Sequence, residues 1–227
     1  MAADDPNQEI AGKTMAARIA DRIRDDILSR RIASGSRITV KEIADRYGVS
    51  SMPVREAFNM LCGEQLLQLN PYRGATVMAV TSDLMAQLND VQCALESLLV
   101  ELCLQKGYSP ALLDELERIN REIAALENDE QGLRERRLGL NVQFHTLEYS
   151  LCSDHMAYAM FQRTLEQLHA IRRYHVMEAA RVRQTVLEHE QIIQSLRAGD
   201  VVTAVAVTRL HTHNAKQYAL TSEQYDC

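Results

Sequence analysis

Between Ser36 and Val77 the apolar pattern changes period twice, and few folds accommodate that. Ile43, Ala44 and Tyr47 recur at helical spacing, and Gly48 supplies the positive-φ position that ends a short helix. Val54, Ala57, Phe58 and Leu61 then recur at helical spacing again, behind Ser50 or Ser51 as cap and with Pro53 tolerated in the first turn. Leu66 to Leu69, the turn Asn70-Pro71-Tyr72-Arg73-Gly74, and Ala75 to Ala79 read as a hairpin. Helix, tight turn, helix and hairpin is the order of a winged helix-turn-helix. Ser51, Met52, Arg55, Glu56 and Asn59 fall on the outer side of the second helix. An outward Arg and Asn behind a short polar N-terminus suit a helix laid in the major groove of duplex DNA. Lys41, Ser50, Ser51, Met52, Arg55, Arg73 and Gly74 are the candidate DNA contacts. An amphipathic helix pair without a nucleic-acid role is the competing reading, and the added hairpin argues against it.

The stretch from Lys13 to about Ala79 resembles the DNA-binding domain of the GntR family of bacterial transcription regulators. Three pieces carry the likeness: Ala44-Asp45-Arg46-Tyr47-Gly48-Val49-Ser50, then Pro53-Val54-Arg55-Glu56-Ala57, then Arg73-Gly74-Ala75-Thr76-Val77. The chain departs from the family pattern at Ser51-Met52, where relatives often have Arg-Thr, and along Cys62-Gly63-Glu64-Gln65-Leu66-Leu67. Losing an Arg before the Pro removes one potential bidentate contact to guanine or phosphate. The operator sequence is therefore not transferable from relatives.

Charge is distributed to match. The chain carries a net charge of −6 over 227 residues, which taken as a whole does not suit a polyanionic partner. Yet Lys13 to Val80 holds 11 basic against 7 acidic residues, whereas residues 81–227 hold 14 against 21. A basic head on an acidic body is what one phosphate-facing domain and one that avoids DNA require. Aromatic residues are only 5% and Trp is absent, consistent with an aliphatic helical core. No apolar run reaches the length of a membrane span, and the acidic start Met1 to Ile10 is unlike a signal peptide, so a cytoplasmic protein is expected. Five cysteines without CxxC spacing read as buried reduced thiols rather than a disulfide framework.

The expected organisation is a disordered tail over 1–12, the winged domain over 13–80, a helical domain over 81–222 and a short tail over 223–227. Met15, Ile19, Ile23 and Ile27 mark a helix leading into the winged part. After Val80, with Thr81 or Ser82 as cap, helices are predicted over 83–106, 110–128, 133–152, 155–175, 178–197 and 200–220. Long helices joined by short loops form an antiparallel bundle with room for a site between them. The fold class is thus mainly α, a winged head followed by an all-helical bundle.

Three histidines lie on inward stripes of three different bundle helices. His145 stands beside the row Leu140, Phe144, Leu147 and Leu151, with Asn141 one turn earlier on the same side. His189 belongs to the row Val182, Val186, Ile193 and Leu196, and His211 to Ala204, Val207, Thr208, Ala215 and Tyr218. A lone inward imidazole is ordinarily a hydrogen-bonded core residue. Three from separate helices can instead hold a divalent ion such as zinc or nickel, three nitrogens and one oxygen leaving a position open. His155, His169, His175 and His213 read as surface or helix-end residues.

Residues 83–220 resemble the FCD effector-binding domain of the FadR branch of the same family, on Leu95-Glu96, Phe144-His145, Glu188-His189 and His211. The resemblance implies a divalent metal in an effector cavity, held by those three histidines and the residue at 141. That residue is usually Asp and here is Asn141, a neutral and weaker ligand. With one negative charge fewer around it, such a metal should attract an anionic effector more strongly. The family often has a basic residue where this chain has Gln92, so Gln92 and Arg137 are the candidate effector contacts; a solvated surface position is the competing reading of Arg137.

The function these readings imply is a ligand-responsive repressor, homodimeric on a two-fold DNA operator and sensing a small carboxylate. A metal-dependent hydrolase is the alternative from another class, with Glu188 or Glu190 as general base. Helical spacing turns both carboxylates away from the stripe of His189. An architectural helical dimer with a structural metal is a third reading.

Overall fold

The computed structural model describes residues 14–71, 73–127, 131–172 and 177–221. The expected tails over 1–12 and 223–227, Tyr72, Cys227 and His175 lie outside them. The chain separates into two compact units, divided between Val80 and Thr81.

In the first unit, α1 (Met15–Leu28) buries Ile19, Ala20, Ile23 and Ile27, and Thr14 caps it by accepting from the Ala17 amide. Thr39 and Glu42 form a reciprocal capping box at the start of α2 (Val40–Tyr47). Gly48 ends α2 with φ 67°, the left-handed conformation expected from sequence. The next helix, α3 (Ser51–Gly63), buries Val54, Ala57, Phe58 and Leu61. Ser50 is its N-cap by backbone conformation, but its side chain makes no capping hydrogen bond, a correction to the capping expected there. Arg24 on α1 donates from Nε and Nη2 to Glu64 just beyond α3, at 2.8 and 2.7 Å, fastening the two helices.

The hairpin is β2 (Leu67–Asn70) against β3 (Gly74–Val77), antiparallel, with Leu67 opposite Val77 and Asn70 opposite Gly74. A third strand, β1 (Arg37–Ile38), pairs with the other edge of β3, giving the order β1-β3-β2. Two residues are too few to show a period, so β1 left no trace in the apolar pattern. Gly74 adopts φ +85°, and a Cβ there would stand 2.2 Å from the Ile38 carbonyl oxygen. Only glycine lets β1 and β3 approach this closely.

The second unit is built from α4 (Ser82–Lys106), α5 (Pro110–Ala125), α6 (Gln131–Glu148), α7 (Met156–Arg172), α8 (Ala179–Ala198) and α9 (Val201–Thr221). Thr81 caps α4 and Ser109, followed by Pro110, caps α5. The core gathers Leu99, Leu116, Ile119, Phe144, Tyr149, Phe161 and Ile192. In this unit α4 packs on α7 and α9, while α8 lies against both α5 and α9.

Two helix ends fall earlier than predicted, and in each the released carbonyls are taken up by side chains. The helix expected to run to 152 stops at Glu148 and continues as a 3-10 turn, Ser150–Cys152. Tyr108 Oη donates to the Glu148 carbonyl at 2.8 Å and Lys106 Nζ to that of Leu151 at 2.7 Å. Likewise α5 ends at Ala125, and Arg137 Nη1 donates to the Leu126 carbonyl at 3.0 Å. Of the thiols, Cys103 and Cys152 are buried with Sγ atoms 3.2 Å apart, whereas Cys62 and Cys93 are only half-buried, contrary to expectation. Among the described residues no helix is long and apolar enough to cross a membrane.

Candidate functional site

Two sets of residues carry chemistry, one on the surface of the first unit and one inside the second. On the first, α3 turns its apolar row inward and exposes Ser51, Met52, Arg55, Glu56 and Asn59 together. Ser50 and Lys41 are exposed at the starts of α3 and α2, Arg73 is exposed in the β2–β3 turn, and Gly74 beside it is half-buried. Arg55 makes no hydrogen bond or ion pair among the described residues, so its guanidinium is available to a partner.

Inside the second unit, His145 on α6, His189 on α8 and His211 on α9 are all buried, with ligand-capable atoms within 4.8 Å of one another. Their ring centroids lie 5.0 to 5.1 Å apart. Each Nδ1 is held by an acceptor. Glu148 Oε2 is 3.0 Å from that of His145, and Glu188 Oε2 is 2.7 Å from that of His211. Asn120 Oδ1 is 3.0 Å from that of His189, and the Asn120 amide nitrogen donates to the Val186 carbonyl, which fixes the amide's orientation. In the neutral form of each ring these acceptors place the proton on Nδ1 and leave the lone pair on Nε2. His189 Nε2 has no hydrogen-bond partner among the described residues, and the ring stacks on Phe144 at 4.0 Å.

Burial, reinforced by the neighbouring His and Arg charges, holds His189 and His211 well below the usual imidazole range. Burial opposes charge on His145 too. There the Glu148 hydrogen bond and the charges of Glu96 and Glu148 prevail and raise it. Burial, with the charge of Glu148, lifts the Glu96 carboxyl to about 7, against the pull of His145. Two imidazoles biased to the neutral form, each with a buried oxygen behind it, are what a divalent ion requires of its ligands. The residues fit such an ion.

Two cavities adjoin the cluster. The larger, about 770 Å³ including its open mouth, is lined by Arg137, Asn141, Arg172, Arg181 and His211, with Ile123, Leu138 and Val182 as apolar walls. The smaller, about 280 Å³, is lined by Asn89, Gln92, Glu96, Asn141, His145, Arg172 and His211. Asn141 is half-buried and lines both, which places it on the same wall as His211. Gln92 lines only the smaller cavity. Arg137 is 3% exposed and lines the larger one, so the surface reading of it is wrong: its stem crosses the interior to reach the Leu126 carbonyl.

Sequence reading missed the supporting residues Asn120, Glu148, Arg172 and Arg181, and it misplaced Glu188. Glu188 is buried, accepts from His211 and Asn214, and is paired with Arg181 at 3.1 Å. A single stripe through His189 was assumed for α8, but Arg181, Thr185, Glu188 and Ile192 form a second buried row at helical spacing. A helix packed on two neighbours buries two rows. Glu190, by contrast, is exposed.

Residues 15–77 match the family described as bacterial regulatory proteins, gntR family, and residues 87–214 match the FCD domain. The HTH-type transcriptional regulator BphR of Paraburkholderia xenovorans is 26% identical over 197 residues, spanning 86% of this chain and 80% of that protein. The gluconate operon transcriptional repressor of Bacillus subtilis is 30% identical over 109 residues, 48% of this chain and 44% of its own length. In fold, Escherichia coli McbR/YncC superposes with a TM-score of 0.68 at 18% identity, covering 91% of this chain and 97% of that one. These families and relatives are transcriptional regulators and not enzymes, which removes the hydrolase alternative; of its two candidate bases, Glu188 is already engaged by His211, Arg181 and Asn214, and Glu190 is exposed. With a winged head matching one model and more than half its length matching the other, the chain belongs to the GntR family of DNA-binding bacterial transcriptional regulators and carries an FCD domain.

Proposed function

We propose that the protein is a ligand-responsive repressor, cytoplasmic and homodimeric, whose FCD domain binds a small organic acid beside a divalent metal. The observation that carries this is the convergence of three imidazoles, each fixed through Nδ1, beside two cavities that share His211 and Arg172 in their walls. His145, His189 and His211 would hold the ion, with the Asn141 side chain as an oxygen ligand. The ion would act as a Lewis acid that anchors the effector's carboxylate. Arg172 and Arg181 add positive potential to the same wall, and Glu148, Glu188 and Asn120 keep the imidazoles oriented.

The winged head would present Arg55 and its neighbours to the major groove, with Lys41 and the Arg73–Gly74 turn on the backbone. Two heads in a homodimer would read a two-fold operator. Binding of the acid would favour one arrangement of the helices and change head spacing by population shift. The naming of two relatives as repressors, the gluconate operon protein and RspR of Escherichia coli, supports repression as the direction.

A thermal-shift and calorimetric screen of organic acids, with zinc or nickel present and after chelation, tests the site. Acids should bind the metal-loaded protein and release operator DNA. Equal binding to stripped protein would remove the metal from the effector site.

A further inference from the structure

The smaller cavity contains an imbalance that the histidine cluster does not explain. Gln92 and Glu96 stand one turn apart on α4, are 3% and 2% exposed, and line this cavity side by side. Gln92 Nε2 donates to Glu96 Oε1 at 2.8 Å. That leaves Gln92 Oε1 and Glu96 Oε2 as buried acceptors with no hydrogen-bond partner among the described residues. Buried acceptors left unmatched are rare and cost roughly 1–3 kcal/mol each. Of the donors lining this cavity, Arg172 Nη2 is given to Asn89, His145 Nδ1 to Glu148 and His211 Nδ1 to Glu188.

We infer that these two oxygens receive an ammonium group, and that the effector is an amino acid with an apolar side chain rather than a plain or hydroxylated acid. The inference rests on reading the cavity as the effector site. A protonated amine brings three donors and a positive charge, enough to meet the neutral and the acidic acceptor at once. A hydroxyl brings one donor and no charge, so one oxygen would stay unmatched. A Lys or Arg at 92 would neutralise Glu96 from one turn away; Gln92 leaves that role to the ligand. With its amine held on α4, the molecule's carboxylate reaches the wall shared by both cavities, where Arg172 and His211 stand. Its side chain then enters the larger cavity, among Ile123, Leu138 and Val182.

Calorimetric titration of the full-length, zinc-loaded protein with matched triples tests this. One triple is leucine, 2-hydroxy-4-methylpentanoate and 4-methylpentanoate; another is phenylalanine, 3-phenyllactate and 3-phenylpropanoate; gluconate serves as a polyhydroxylated probe. In at least one triple the amino member should bind about tenfold or more tighter than both partners, and tighter than gluconate. Glu96→Gln and Gln92→Lys should each erase that margin while zinc titration shows the histidine site intact. A hydroxylated or plain acid binding as well as its amino partner would overturn the inference and leave the effector site standing. No binding by any probe would overturn both.

Discussion

The two units solve opposite problems with the same helical vocabulary. Among the described residues, every buried polar or charged side chain belongs to the helical unit, from Asn89 on α4 to Thr212 on α9. The winged unit buries only apolar groups such as Ile23, Ile43, Val54, Phe58 and Leu61, and keeps its chemistry outside on α3 and the β2–β3 turn. A surface site can therefore be changed without touching the fold, because exposed side chains contribute little to stability. The interior site cannot. Glu148, Glu188 and Asn120 hold its imidazoles and Arg181 pairs with Glu188, so each is part of the packing as well as of the chemistry.

Breaking the interior network should produce the largest effect. Glu188→Ala strips the acceptor from Arg181, His211 and Asn214 in a buried setting. Urea denaturation of metal-free protein should show a loss of about 3–5 kcal/mol. In the winged unit the comparable lesion is in the backbone. Gly74→Ala would need both the left-handed φ and a shift of β1, so it should cost about 1–3 kcal/mol in thermal unfolding and weaken DNA binding with it.

Surface and site then separate. Arg55→Ala should weaken binding to a selected operator by about 1–3 kcal/mol, measured by fluorescence anisotropy, with the melting temperature unchanged. For the interior, Glu148→Gln should lower zinc affinity by about 10- to 100-fold at alkaline pH. The sign with pH follows from His145. Its raised pKa means a proton must leave before metal binds, so affinity falls as pH drops through the His145 range, and the Gln variant moves that fall to lower pH.

The smallest effect concerns Asp26 in the winged unit. Burial opposes its charge, but the Tyr47 hydroxyl and Arg31 outweigh that and hold its pKa below the ordinary carboxylate value. It therefore contributes stability above that value and loses it as pH falls through the folded pKa. Asp26→Asn should remove this acid-side slope and cost about 1 kcal/mol or less in denaturation at neutral pH.

The same contrast decides what sequence made legible. Val54, Ala57, Phe58 and Leu61 announced the inward face of α3, and so exposed Met52 and Arg55 by difference, because one buried side produces one clean stripe. The inward histidines were legible for the same reason. What stayed hidden depends on contact rather than period. Asn120 reaches His189 from 69 residues away, Arg137 is interior because a carbonyl at Leu126 draws it in, and Glu188 faces α9 because α8 is buried on two sides. The two-residue β1 and the unused Ser50 cap were similarly invisible, since pairing and side-chain rotamer decided them.

The most direct test is operator affinity measured for the wild type, Arg55→Ala and His189→Ala, with zinc, across a titration of the tightest-binding acid from the screen. Arg55→Ala should bind weakly at every acid concentration, while His189→Ala should bind as tightly as unliganded wild type and fail to release. Unchanged affinity in Arg55→Ala, or a full acid response in His189→Ala, would contradict a DNA-reading surface governed by a sensing interior.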